Sequence, residues 1–297
     1  MKLYTLAWSI PNDKNGILVR EFLKEKQISK AALTDIKFRG GFIMVNNEPV
    51  TVRHILKEQD ILEIGFPKEI PSEDMKAENI PLSIVYEDEV LLVINKPAGM
   101  STIPSREHPT GSLANALLYY YKLNDIASTI HIVNRLDRDT SGLLLVAKHR
   151  YIHHLMSSQQ KNGDIRRRYE ALVHGTMKLD QGVVDAPIGR ASHSIIEREV
   201  RSDGQRAVTH FNVLQRSIGF SHVSLNLETG RTHQIRVHMA YLGHPLLGDT
   251  LYGGERTILE RQALHSCELS FFHPTRHVWM KHRVDLPADM KKLVEDK

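Results

Sequence analysis

The sequence predicts an α+β protein, with a large domain built on a mixed, mainly antiparallel sheet with flanking helices and loops, and a small N-terminal α+β module. Three observations lead to this prediction. The 297 residues exceed the roughly 100 to 200 residues of a typical domain. Several short apolar runs alternate with the period of two residues that half-buried antiparallel strands show. These runs do not alternate regularly with helices, as the strands of a nucleotide-binding α/β fold would.

The first 66 residues predict the small module. Apolar residues have helical spacing from Gly16 to Leu23 and again from Lys30 to Ile36, where Ser29 is a candidate N-cap. The apolar run GGFIMV then meets the turn signal Asn46-Asn47, and a second short run ends in DILEIG. A module of about 65 residues has a marginal core, so we expect it to be tethered or bound.

A linker is predicted over residues 67–81, which hold three prolines and a mixed run of charges without periodicity. The large domain then occupies residues 82–297. It begins with two strands around an acidic turn, in LSIVYEDEVLLVINKPAG, and a helix is predicted from Ser112 to Tyr121. Further strands are predicted in GLLLVAKH, RYEALVHG, AVTHFNVLQ and HVSLNLET.

Composition excludes several classes of protein. A hydrophobic fraction of 41%, a charged fraction of 25% and a mean hydropathy of −0.31 are typical of soluble globular chains. Because no stretch approaches 18 apolar residues, we expect no membrane association and a cytoplasmic location. The single cysteine, Cys267, excludes an intramolecular disulfide, a Cys-rich zinc site and a zinc-dependent base deaminase.

Seventeen histidines raise the alternative of a metal enzyme, and His149, His153 and His154 have the spacing of ligands on one helix. The chain has no HExxH motif, however, and no glycine-rich loop followed by Lys and Ser or Thr that would bind nucleotide phosphates. We therefore expect no metal and no nucleotide or other cofactor.

The distribution of charge is more informative than its total. The net charge is +4 and the pI is near 9.0, which allows a nucleic-acid partner without requiring one. Residues 131–170 contain eight basic and four acidic side chains, so this window carries the whole excess.

The densest polar cluster is HIVNRLDRDTSGLLLVAKH, residues 131–149. Asp137 lies here on a predicted loop between two apolar runs, flanked by Arg135 and Arg138. Neighbouring cations keep a carboxyl group ionised, and an ionised carboxylate can act as a nucleophile or a general base. The alternative is a turn aspartate that makes an ordinary ion pair.

A second cluster is DIRRRYEALVHG, residues 164–175, where three arginines precede Tyr169 on a predicted strand. Basic residues beside an aromatic ring suit phosphate contact and base stacking, the combination that binds unpaired RNA. The alternative is a solvated basic strand end with Tyr169 in the core.

The third cluster covers residues 227–249. Gly230 is predicted to open a helix on which Arg231 shares a face with Ile235, Met239 and Leu242. A buried arginine needs an anionic partner, and we expect Asp137 to be that partner. The alternative is a surface arginine at the start of a helix.

Together these segments resemble the RluA-type family of RNA pseudouridine synthases. Several ordered motifs in one chain are more specific than any one of them, and the resemblance spans residues 82–254. The residues that carry it are Asn95-Lys96-Pro97-Ala98-Gly99, Arg135-Leu136-Asp137, Thr140-Ser141-Gly142, Arg168-Tyr169, Thr229-Gly230-Arg231-Thr232-His233-Gln234-Ile235-Arg236, Leu242-Gly243-His244-Pro245 and Gly248-Asp249.

The resemblance implies an isomerase that converts specific uridines in structured RNA to pseudouridine without a cofactor. It implies that Asp137 is the catalytic aspartate, that Tyr169 lies against the target base and that Arg231 pairs with Asp137. It also implies that Arg135 fills the gap left by the flipped uridine. Whether Asp137 attacks the anomeric carbon or removes a ribose proton stays open. The residues expected to contact RNA are Arg135, Arg138, Arg167, Arg168, Lys96 and Lys30.

One residue departs from the family pattern, because Asn134 stands where the family most often has His before Arg-Leu-Asp. Asparagine cannot be protonated near neutral pH, so a role that needs an imidazolium is excluded there. The expected partner is a stem-loop of ribosomal or transfer RNA, and the protein is expected to be monomeric. The alternative function is a non-catalytic RNA-binding or ribosome-assembly factor.

The N-terminal module is similar to a small RNA-binding domain that many family members share with a small-subunit ribosomal protein. The similarity rests on Arg20-Glu21-Phe22-Leu23, the helix after Ser29 and FRGGFIMVNNEPV. It implies that the module binds RNA, with a purely structural role as the alternative.

Overall fold

The computed structural model describes residues 3–72, 75–105 and 108–295. Within these ranges the chain has the predicted α+β fold, and no helix is long and apolar enough to cross a membrane. The strands are β1 (Thr5–Ser9), β2 (Phe42–Val45), β3 (Glu48–Pro49), β4 (Ile61–Gly65), β5 (Ile84–Glu87), β6 (Leu91–Lys96), β7 (His131–Ile132), β8 (Ser141–Ala147), β9 (Arg166–His174), β10 (Gln181–Asp185), β11 (Ile188–Arg190), β12 (Arg198–Val200), β13 (Val208–Ser217), β14 (Phe220–Leu227), β15 (Leu264–Phe272) and β16 (Trp279–Arg283). The α-helices are α1 (Val19–Glu25), α2 (Lys30–Phe38), α3 (Leu113–Leu123), α4 (Arg150–Asn162), α5 (Gln234–Tyr241) and α6 (Ala288–Glu295), and 3-10 turns cover Asn12–Lys14 and Thr250–Tyr252.

The N-terminal module is a four-stranded antiparallel sheet in the order β1-β4-β2-β3, with α1 and α2 packed on it. The side chain of Ser29 accepts a hydrogen bond from the Ala32 N–H at 3.1 Å, so it is the N-cap of α2 as predicted. Asn46 and Asn47 form the predicted turn, with φ of 52° and 67°, values that Asn adopts more readily than most residues.

The module contacts the start of α4 in the large domain. The Tyr151 hydroxyl donates to the Lys26 carbonyl at 2.6 Å. The Tyr4 and His149 rings stack at a centroid distance of 3.8 Å. The part of the predicted linker that the structure describes, residues 67–72 and 75–81, contains no helix or strand.

The large domain contains a ten-stranded sheet whose main path is β10-β13-β14-β9-β15-β8-β6-β5, with β7 paired to β8 and β16 paired to β15. Its strand pairs are antiparallel except β15 with β8, which are parallel. The predicted strands are present. Strand β8 departs from the expected alternation, because all seven of its residues are buried. The reason is that α3 covers one face of β8 and α4 covers the other.

The predicted helix after Ser112 is confirmed as α3, and Ser112 is its N-cap. The helix predicted to begin at Gly230 begins four residues later, at Gln234. His233 has a φ of 57° and interrupts the helical path. The Gln234 side chain accepts hydrogen bonds from the Arg231 N–H and the Thr229 hydroxyl, at 2.9 and 2.8 Å, which holds the preceding residues in a turn.

Candidate active site

Asp137 lies in the loop between β7 and β8, and contacts to other segments fix this loop. The Thr102 hydroxyl donates to the Leu136 carbonyl at 2.6 Å and accepts from the Leu136 N–H. The Asn134 side chain is buried, and its carbonyl oxygen accepts the Leu145 N–H at 2.9 Å. Asn134 therefore serves the backbone of β8, a role that needs no imidazolium.

Lys96 is fully buried beneath the same loop and does not reach solvent. Its Nζ donates to the carbonyls of Pro97, Met100 and Arg138 at 2.8, 2.8 and 3.0 Å. Burial lowers the pKa of Lys96 to about 7. The prediction that Lys96 contacts RNA is wrong, because all three ammonium hydrogens face protein carbonyls. Lys96 instead joins the Asp137 loop to the turn after β6.

The cation paired with Asp137 is Arg236 on α5. Its Nη1 lies 3.1 Å from Asp137 Oδ2, while its Nε and Nη2 donate to the buried Asp249 carboxylate at 2.7 and 2.8 Å. Burial lowers the pKa of Arg236, but the hydrogen bonds and charges of Asp249 and Asp137 outweigh burial and raise it. Asp137 therefore faces a guanidinium that a second carboxylate holds in place.

The predicted pairing of Asp137 with Arg231 is wrong. Arg231 is exposed, and its Nε donates to the Arg206 carbonyl at 2.9 Å. Because α5 begins at Gln234, Arg231 does not share a helix face with Ile235, whereas Arg236 is on the helix. Arg231 still lines the cavity in front of Asp137, at its exposed edge.

Two residues that the sequence analysis did not assign complete the surroundings of Asp137. His233 Nε2 lies 3.8 Å from Asp137 Oδ2, and its Nδ1 lies 2.8 Å from the Tyr252 hydroxyl. The Arg236 guanidinium lies over the Tyr252 ring at 4.9 Å from the centroid. Burial lowers the pKa of His233, and the Asp137 charge opposes that shift. No spacing signal in the sequence indicated the role of either residue.

Strand β9 divides its residues between two faces. Arg167 and Tyr169 are buried and line the cavity in front of Asp137. Burial raises the pKa of Tyr169, so its phenol stays protonated. Arg168 is on the opposite face, where it forms ion pairs with Glu170 and Glu268 at 3.4 and 3.5 Å. The prediction that Arg168 contacts RNA at this site is therefore wrong, and the two-residue period of a strand could have separated it from Tyr169.

The cavity in front of Asp137 is lined by both Asp137 and Tyr169. Arg135 lines it and also lines a neighbouring open groove that includes Arg138. Both arginines are exposed. Lys30 is exposed on α2 of the N-terminal module and does not line either space.

This arrangement suits a reaction on one planar group bound in the cavity. The Asp137 carboxyl group, paired with Arg236, faces a cavity with an aromatic ring in its wall, and basic side chains surround the opening. Among the described residues no group of three or more His, Cys, Asp or Glu side chains is arranged to hold a metal ion. The carboxylate and the ring are the groups that cleaving and retaining a base would use.

Comparison with known proteins gives consistent matches. The family model described as RNA pseudouridylate synthase matches residues 90–241. The chain is 57% identical over 277 residues to a Bacillus subtilis protein named "Uncharacterized RNA pseudouridine synthase YjbO", covering 93% of this chain and 98% of that protein. It is 41% identical over 256 residues to "Ribosomal large subunit pseudouridine synthase D" of Pseudomonas aeruginosa, covering 79% of each.

Among solved structures, the chain resembles "Human RNA Pseudouridylate Synthase Domain Containing 4" with a TM-score of 0.58 and 22% sequence identity. The similarity covers 70% of this chain and 90% of that protein. At this identity the match concerns the fold, and it agrees with the mixed sheet and flanking helices described above.

Proposed function

This chain belongs to the RNA pseudouridylate synthase family, and from that premise we propose that Asp137 is the residue with which it isomerises uridine to pseudouridine. The observation that carries the proposal is the position of Asp137, held by Arg236 at 3.1 Å and facing a cavity with Tyr169 in its wall. Asp249, the other carboxylate bound to Arg236, is buried in its ion pair and does not line the cavity.

The reaction breaks the bond between ribose C1′ and uracil N1, turns the uracil and forms a bond from C1′ to C5. The proton on C5 is lost and N1 gains one, so atoms and electrons balance without a cofactor. As the C1′–N1 bond breaks, the sugar becomes electron-poor, and the Asp137 carboxylate either stabilises it, attacks C1′ or removes a ribose proton. The Tyr169 ring retains the detached base by stacking.

A uridine inside folded RNA must leave its stack before this cavity can receive it, at a cost of roughly a few kcal/mol. Arg135 is suited to offset that cost. It is exposed and lines both the cavity and the groove, so its side chain would fill the position that the flipped base leaves. Arg138 and Arg231, at the opening, would contact phosphates of the same RNA.

We further propose that the substrate is ribosomal RNA. The support is the name of the Pseudomonas aeruginosa relative, which acts on the large ribosomal subunit, and the similarity to it over 79% of the chain. The N-terminal module would add RNA affinity through exposed basic residues such as Lys30 on α2. Transfer RNA is the second possible substrate.

The test is carbodiimide mapping of pseudouridines in ribosomal and transfer RNA from strains with and without this gene, and from a strain with Asp137→Asn. We expect a specific pseudouridine stop to vanish in both altered strains, and purified Asp137→Asn to bind the RNA within a few-fold of the wild type. Asparagine keeps the size and hydrogen bonding of the side chain but not its charge. Normal conversion by Asp137→Asn would refute the assignment of Asp137, and loss of a stop in transfer RNA alone would refute ribosomal RNA.

A further inference from the structure

Arg167 is a buried cation in the cavity that has no anionic partner in the protein. Arg167 is only 8% exposed, and its Nε has no hydrogen-bond partner among the described residues. No carboxylate of the described residues forms an ion pair with it. Arg236, by contrast, is shared by two carboxylates. A buried guanidinium without a counter-charge is costly, so an unpaired one in a cavity indicates that a ligand supplies the negative charge.

The position of Arg167 indicates which part of the RNA supplies this negative charge. It precedes Tyr169 by two residues on β9, so both side chains lie on the same face of the strand and line the same cavity. The exposed arginines, Arg135, Arg138 and Arg231, are at the opening, where the phosphate backbone would pass. Arg167 also lines the groove, but unlike these three arginines it is buried, and it lies beside Tyr169, where the base would lie.

Gly230 leaves the space that the Arg167 guanidinium occupies. A Cβ added to Gly230 would lie 3.2 Å from both Nη1 and Nη2 of Arg167. That distance is shorter than ordinary van der Waals contact, so a side chain at residue 230 would shift the guanidinium by a few tenths of an ångström. The position of the Arg167 guanidinium in the wall of the cavity therefore depends on a glycine at residue 230.

We propose that Arg167 stabilises the uracil anion that exists between cleavage and rejoining of the glycosidic bond. When the C1′–N1 bond breaks, its electron pair leaves with N1 and spreads to O2 and O4 of the base. The planar guanidinium donates hydrogen bonds to such an anion and supplies the missing opposite charge. When C5 bonds to C1′ and its proton leaves, N1 is protonated and the base is neutral again. This proposal rests on the proposed function.

The test compares Arg167→Met with the wild type on two RNA stem-loops, one with uridine and one with 5-fluorouridine at the target position. Fluorine stabilises the uracil anion, so the substrate itself replaces part of what Arg167 supplies. Single-turnover loss of the target nucleoside at saturating RNA is measured after digestion to nucleosides. For uridine we expect a decrease of roughly 10² to 10³-fold, as for loss of one oxyanion donor. For 5-fluorouridine the decrease should be at least several-fold smaller.

Equal decreases for the two RNAs would overturn the proposal. So would weaker RNA binding with an unchanged rate at saturation, which is the result expected if Arg167 holds a phosphate. If the wild type converted neither RNA, the proposed function itself would fail. If the wild type is active and Arg167→Met is equally active, only the role of Arg167 fails.

Two further variants guard against a simple loss of folding. Gly230→Ala keeps the charge but displaces the guanidinium, so it should reduce the rate for uridine less than Arg167→Met does, again with a smaller effect for 5-fluorouridine. Arg168→Met, on the opposite face of β9, is the matched control and should leave the rate for both RNAs unchanged. Thermal unfolding of all the variants is measured alongside. A Gly230→Ala rate identical to the wild type would also count against the proposal.

Discussion

The Tyr252 hydroxyl lies 2.8 Å from Nδ1 of His233 and accepts a hydrogen bond from the Arg198 N–H at 3.0 Å. A hydroxyl that accepts from the backbone can donate its own hydrogen to Nδ1, and in that arrangement the imidazole proton is on Nε2. Nε2 is the nitrogen that lies 3.8 Å from Asp137. Burial lowers the pKa of His233, and a hydrogen bond donated by Tyr252 to Nδ1 favours the neutral ring further, so that Asp137 faces one cation, Arg236, and not two.

The first prediction concerns Tyr252→Phe. Phenylalanine keeps the ring beneath Arg236 but loses the hydrogen bond to Nδ1, so the pKa of His233 should rise. A protonated His233 would then bind the Asp137 carboxylate more tightly and slow the reaction at Asp137. We expect the single-turnover rate of Tyr252→Phe, relative to the wild type, to decrease as the pH falls from about 8 to about 5.5. A rate ratio that is the same at every pH would show that Tyr252 does not act through His233.

The second prediction separates Arg236 from Arg231. Arg236→Met leaves the buried Asp249 unpaired and should lower the free energy of unfolding by about 3 to 5 kcal/mol, with loss of turnover. Arg231→Met removes an exposed side chain, so it should change stability by less than about 0.5 kcal/mol and weaken RNA binding more than it slows the chemical step. Urea denaturation and single-turnover kinetics measure both effects. Equal effects of the two substitutions would contradict this assignment.

The third prediction concerns Arg135 and base flipping. Arg135→Ala should reduce conversion of a folded stem-loop more than conversion of a short flexible RNA of the same sequence, because only the folded RNA needs help to extrude the uridine. The measurement is the ratio of kcat/KM for the two RNAs. Arg138→Ala, also exposed beside the groove, is the control and should reduce both values alike. Equal losses for Arg135→Ala would remove the proposed role.

The fourth prediction concerns stability in acid. Burial lowers the pKa of His149, which stacks on Tyr4, from 6.5 to about 4. Between these values the unfolded chain binds the proton and the folded chain does not, so stability decreases as the pH falls through this range. Phenylalanine keeps the stacking but cannot be protonated. Between about pH 7 and about pH 4, the free energy of unfolding of the wild type should therefore fall by up to about 3 kcal/mol more than that of His149→Phe.

Urea denaturation at several pH values measures this difference. The matched control is His154→Phe, at an exposed position of α4, the helix that begins directly after His149, and this variant should follow the wild-type pH dependence. If His149→Phe also follows it, His149 does not titrate as described.

That Asp137 is on a loop and Tyr169 on a strand could be predicted from the sequence, because both features are local, and the structure places the two residues at one cavity. The sequence did not predict the partner of Asp137, because the start of α5 depends on the backbone of His233 and on side-chain hydrogen bonds of Gln234. Apolar periodicity carries no information on either. Lys96 was misplaced for a related reason, since a lysine is normally exposed and only the fold brings three carbonyls around its ammonium group.

The parallel pairing of β15 with β8 has a consequence for biosynthesis. Ser141 lies opposite His265, so the start of the strand that follows Asp137 gains this partner only after about 120 further residues have left the ribosome. A contact between residues so distant in sequence slows folding, because a long loop must close before the pairing stabilises it. We expect a nascent chain that ends before β15 to lack a formed cavity, so the enzyme would gain activity late in its own synthesis.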